Sequence, residues 1–145
     1  MFSAKFFLKL GADVRDEYRK DVFEKGKDVH GKSFKPYSQE YSELKKANTF
    51  KLQDSAYANK VTPVLTGALM EDLAVTKPTS TGFFLGWNVW GSKVISLNKQ
   101  GRELTTKDKP LPDSVLNFMS KELCKYIDKK YIKPNCKTTK HKIGK

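Results

Sequence analysis

Cysteine and histidine are scarce in this chain of 145 residues, which holds two of each. Cys124 and Cys136 are too few for a disulfide framework and point to folding in a reducing compartment. His30 lies in a glycine-bounded loop and His141 near the end, so no converging set of His, Cys and carboxylate ligands is in view for a metal. No serine or cysteine stands with a histidine in the strand-turn-helix setting of an activated nucleophile. Long apolar runs are also missing. None approaches the roughly 18 residues of a bilayer-crossing helix, and Lys5 and Lys9 interrupt the start without a small-residue cleavage site. Neither an anchor nor a signal peptide is therefore expected, and no membrane partner. Gly82, Gly86 and Gly91 lack the following Lys and Ser or Thr of a phosphate loop. The acidic pairs Asp16 with Glu17 and Glu71 with Asp72 fall on polar helix faces, where carboxylates meet lysines or water. Taken together these absences argue against an enzyme, and no cofactor is expected.

What the chain has in quantity is positive charge. The formal net charge is +12, with 38% hydrophobic, 12% aromatic and 30% charged residues, a composition suited to one globular domain with a modest core. The basic excess is concentrated late: residues 121 to 145 hold nine lysines against Glu122 and Asp128, a net of +7. Such a field suits nucleic acid, an acidic protein surface or anionic lipid, and equally a tail that only keeps the protein in solution. Lysines interleaved with Tyr126 and Tyr131, and earlier with Phe34 and Tyr37, make a small nonspecific DNA- or RNA-binding protein the main alternative reading. No zinc-finger, helix-turn-helix or aromatic-sheet signature accompanies them.

Phe7, Leu10, Val14, Tyr18 and Val22 recur every three or four residues among charged positions, which predicts an amphipathic helix over residues 3 to 25 ended by Gly26. Residues 26 to 37 read as an extended, turn-rich loop anchored by Phe34 and Tyr37. Ser38 is placed to cap a short helix carrying Tyr41, Leu44 and Lys45, while residues 47 to 62 show no clean period. Thr66 is placed to cap another, with Leu69 and Leu73 one turn apart. Residues 74 to 77 and 83 to 88 read as a strand pair around a Pro-Thr-Ser-Thr-Gly turn. Between Gly91 and Gly101, Val94, Ile95 and Leu97 fit either a strand or one helical turn. Residues 102 to 111 form a loop, and Pro112 opens a C-terminal helix whose apolar face runs through Val115, Leu116, Met119, Leu123, Tyr126 and Ile127 until Pro134 stops it. The expected architecture is α+β: a small, mostly antiparallel sheet packed by a long N-terminal helix and a C-terminal helix, with long loops, over residues 1 to 133. Residues 134 to 145 are expected to be a flexible basic tail.

Four signals occur in a set order. After the first helix come Gly26, Asp28, Gly31, Lys32, Phe34, Pro36, Ser38, Tyr41 and Lys45. Then follow Leu65, Thr66, Gly67, Ala68 and Leu69, the segment from Phe83 to Gly86, and Leu97, Asn98, Lys99, Gln100 and Gly101 ahead of the proline-framed loop at Lys109, Pro110, Leu111 and Pro112. In this order they resemble the virion morphogenesis, or neck and tail-completion, families of tailed bacteriophages, over roughly residues 3 to 132. A histidine usual in the fourth block is absent here. The resemblance implies a structural protein assembled in the host cytoplasm and located in the virion. Its subunits would form a ring of six or twelve at the head-tail junction, or complete the head-proximal end of the tail. Neighbours would be connector, portal or tail proteins, with double-stranded DNA passing through the ring. On this reading Phe34, Tyr37, Tyr41, Trp87 and Trp90 are candidate subunit-interface residues, with the monomer core as the competing place for them. Lys137, Lys140, Lys142 and Lys145 are candidate tail contacts, to an acidic neighbour or to DNA.

Overall fold

The computed structural model describes residues 2 to 47, 61 and 67 to 130. The expectations for Thr66, for most of residues 47 to 62 and for the basic tail, with Lys137, Lys140, Lys142 and Lys145, lie outside the described residues. Among the described residues the architecture is α+β, five α-helices with one two-stranded antiparallel sheet.

Helix α1 spans Ala4–Tyr18 and starts at Ser3, whose hydroxyl accepts from the Phe6 amide at 3.1 Å. It buries Phe7, Leu10, Val14 and Tyr18, the face set by the sequence period. Beyond Tyr18 the helix continues through Arg19–Glu24 with π-helical winding, closed by a bond from the Lys25 amide to the Lys20 carbonyl at 3.0 Å. This wider turn brings both Val22 and Phe23, four and five residues after Tyr18, to 0% exposure. Gly26, at φ 68°, then ends the run as expected.

Helix α2, Gln39–Lys46, is capped by Ser38, whose hydroxyl accepts from the Tyr41 amide at 3.3 Å. The one-turn α3, Ala68–Glu71, follows Gly67, which itself occupies the capping position at φ 84°. Strands β1, Leu73–Thr76, and β2, Phe84–Trp87, pair in the register Leu73 with Trp87 and Thr76 with Phe84. Residues 91 to 101 take the helical alternative and extend it: α4 is a full helix over Gly91–Lys99. Helix α5, Asp113–Lys130, begins immediately after Pro112, whose carbonyl accepts from Val115 and Leu116 at 3.1 and 3.0 Å. Pro112 thus stands just outside the first turn rather than inside it.

Packing centres on α1. Its Gly11 lies so close to the hairpin that an added Cβ would meet Val75 Cγ1 at 2.7 Å and Phe83 Cδ2 at 3.0 Å. At its start Phe2, Phe6 and Phe7 form an aromatic cluster, with Phe6 4.2 Å from the ring of Tyr126 on α5. Helix α5 makes its main contact with α1, and an open groove separates much of it from β2.

Candidate interaction surface

The glycine-rich loop is a tightly wired turn. Asp28 accepts through one carboxylate oxygen from the amides of His30 and Lys32 at 2.9 and 2.8 Å, while Lys27 and Ser33 form a bridge below it. Gly31, at φ 80°, supplies the left-handed residue that this turn needs. The loop locks onto residues 103 to 105. Val29, fully buried, donates its amide to the Glu103 carbonyl at 2.9 Å, and His30 Nε2 meets Glu103 Oε2 at 2.5 Å. From the other side Asn98 holds the same stretch, accepting from the Leu104 amide at 2.9 Å and donating to the Thr105 carbonyl at 2.7 Å. The buried Tyr18 hydroxyl donates to the Leu104 carbonyl, and its burial pushes the phenol pKa up. Two of the sequence blocks, the loop of residues 26 to 38 and residues 97 to 101, therefore meet at one knot.

Of the five aromatic interface candidates, Phe34 is a core residue, 6% exposed, and cannot anchor a neighbour; its amide bond to the Gly26 carbonyl folds the loop back and turns the ring inward. Tyr37 and Tyr41 are half-buried, with ring centroids 4.6 Å apart. Two cations flank Tyr37: the Lys45 ammonium and the Arg102 guanidinium each lie 5.1 Å from its centroid. Lys45 is 1% exposed, and burial lowers its pKa to about 8, while burial, reinforced by Tyr41, raises that of Tyr37 to about 12. A lysine on a short helix carries no sequence sign of this burial.

Trp87 is half-buried, packs edge-on to Tyr18 and donates its indole N–H to the Leu69 carbonyl at 2.9 Å. Ile95 on α4 is exposed, as is the turn of Val89 and Trp90 between β2 and α4. Asp72 holds it in place: one carboxylate oxygen accepts from both the Val89 and Trp90 amides at 2.9 Å. Read from sequence as a solvated acid, Asp72 instead fixes the shape of this turn. Asp21 is likewise occupied. Burial alone would raise its pKa, but the Ser114 hydroxyl and the Lys25 ammonium outweigh it and hold the carboxyl below its ordinary range.

Beside the turn lies the groove between β2 and α5, about 820 Å³, apolar and without a charged residue in its lining. Among the described residues no cluster of three or more His, Cys, Asp or Glu side chains is placed to hold a metal, and no helix is long and apolar enough to cross a membrane. In comparison with known proteins the chain matches no family model, no curated protein and no solved structure.

Proposed function

We propose that this chain is a structural subunit of a tailed-bacteriophage particle, forming a ring at the head-tail junction or completing the head-proximal end of the tail. The observation that carries the reading is the exposed turn of Val89 and Trp90, 74% and 44% exposed with both amides held by Asp72, on a chain of net charge +12. Exposed aromatic and aliphatic side chains grouped in one place mark contact surfaces, and tryptophan is enriched among residues that dominate binding. The motif blocks support the same reading through their order and through the wiring of the loop of residues 26 to 38 onto residues 103 to 105. The ring would comprise six or twelve copies, with connector, portal or tail proteins as neighbours and double-stranded DNA in its channel.

The test is incorporation. Purified particles should contain the protein in a fixed number of copies, and particles made without it should have unjoined heads and tails. Its absence from complete particles would refute the proposal. The late concentration of lysine favours one alternative, nonspecific nucleic-acid binding. A mobility shift that weakens steeply with salt, by a protein that never self-associates, would select that alternative.

A further inference from the structure

The groove runs along the edge of a strand. All seven residues from 81 to 87 border it, whereas β1 contributes only Leu73. Successive side chains of a strand point to opposite faces, so consecutive residues border one space only when that space follows the backbone edge. This is the edge of β2 opposite β1, and no described residue pairs with it. Across the gap Met119, Leu123 and Ile127 repeat every four residues along α5, a row about 12 Å long against about 13 Å for the four residues of β2. The slot therefore has the length of a short strand, with unpaired backbone donors and acceptors on one wall and apolar side chains on the other.

At the Phe84 end stands a cation. Lys77, the residue after β1, takes a left-handed backbone at φ 49°. Its ammonium lies 5.9 Å from the centroid of the Phe84 ring, which is 66% exposed. Among the described residues no carboxylate lies within ion-pair distance of Lys77. These features select between occupants. An acyl chain or other purely apolar body would fill the slot but leave the strand edge buried and unpaired, at a cost of about 1–3 kcal/mol for each polar group. The chain's own residues 131 to 145 include no Asp or Glu to meet Lys77.

We propose that the slot receives an extended segment of a different, acidic protein. The segment adds a strand to the free edge of β2, sets alternate apolar side chains against α5 and places a carboxylate on Lys77. A net charge of +12 draws such a partner from a distance. The contact goes beyond the assembly reading, for it names the chemistry of a neighbour and does not depend on how many copies associate.

A library of eight-residue peptides panned against the full chain identifies binders, and fluorescence anisotropy titrations measure them. Binders should alternate apolar residues and carry an aspartate or glutamate near one end. Lys77→Gln should weaken them roughly threefold, the scale of one exposed ion pair, and a peptide with its carboxylate changed to the amide should bind parent and variant alike. Alternate amides of a strand point to the same side, so N-methylating the set that faces β2 should cost more than about tenfold, and the other set little. Hydrogen exchange should slow within residues 84 to 87 when peptide binds. Gly86→Glu, where an added Cβ meets nothing within 4 Å, puts a charge at the slot and should weaken every binder in a chain that circular dichroism shows to be folded. The absence of any binder at about millimolar peptide overturns the proposal. Binding that survives both N-methylations and Lys77→Gln makes the slot a general apolar pocket and overturns it too. So does protection of residues 84 to 87 by self-association of the parent without peptide, which gives the slot to a second copy.

Discussion

Replacing Gly11 with alanine sets two effects of known size against each other. In a helix interior alanine is favoured over glycine by about 1 kcal/mol. Here the new methyl would sit 2.7 and 3.1 Å from the two methyls of Val75 and 3.0 Å from Phe83 Cδ2, distances at which α1 or the hairpin must move. Overpacking of this kind costs about 1–3 kcal/mol, so the net expectation for Gly11→Ala is a loss of about 1 kcal/mol. With a urea slope of about 1–3 kcal/mol per molar, the unfolding midpoint falls by roughly 0.5 M. The cause is isolated by repeating the substitution in a Val75→Ala background. There the two shortest Val75 contacts vanish, and Gly11→Ala should become neutral or stabilising, with a coupling of about 1–2 kcal/mol between the sites. A stabilising Gly11→Ala in the parent, or additive effects of the two substitutions, would show that α1 does not lie against the hairpin as described.

Asn98→Ala removes both ties to the loop of residues 103 to 105 and should cost about 2 kcal/mol in urea unfolding, with faster amide exchange at Leu104; an unchanged midpoint would count against the knot. Lys45 gives a pH signature. Its folded pKa of about 8 lies below the ordinary 10.5, so between these values the unfolded chain holds more protons and stability rises with pH. Tyr18, Tyr37 and Tyr41, all shifted upward by burial, reverse the trend above about pH 10, where the unfolded chain loses protons that the folded one keeps. Urea midpoints should therefore climb from pH 8 to 9.5 in the parent and stay flat in Lys45→Met. A climb that survives the substitution would assign it to another group.

Periodicity made α1 legible because its four buried positions Phe7, Leu10, Val14 and Tyr18 repeat on one face, and glycines 26 and 31 announced a loop that needs their left-handed conformations. The π-helical continuation was hidden, since Val22 fits an ordinary helix as well and only the burial of Phe23 distinguishes the wider turn. Helix α4 escaped for a different reason. Of Val94, Ile95 and Leu97 only Val94 is buried, and Ile95 is 58% exposed, so the apolar spacing did not trace a core face. The sequence did not separate exposed Trp90 from buried Phe34, because an aromatic in a loop can serve the core equally well. Asp72 and Lys45 were illegible because charged residues read as solvated until tertiary contacts place them. The groove joins residues from both ends of the described chain and has no local signature.

The most direct test is the oligomeric state of the purified full chain, followed by analytical ultracentrifugation and electron microscopy across a concentration series. Closed rings of six or twelve copies, lost in Trp90→Ser, are the predicted result. A monomer that stays dispersed at every concentration, in the parent as in the variant, would contradict it.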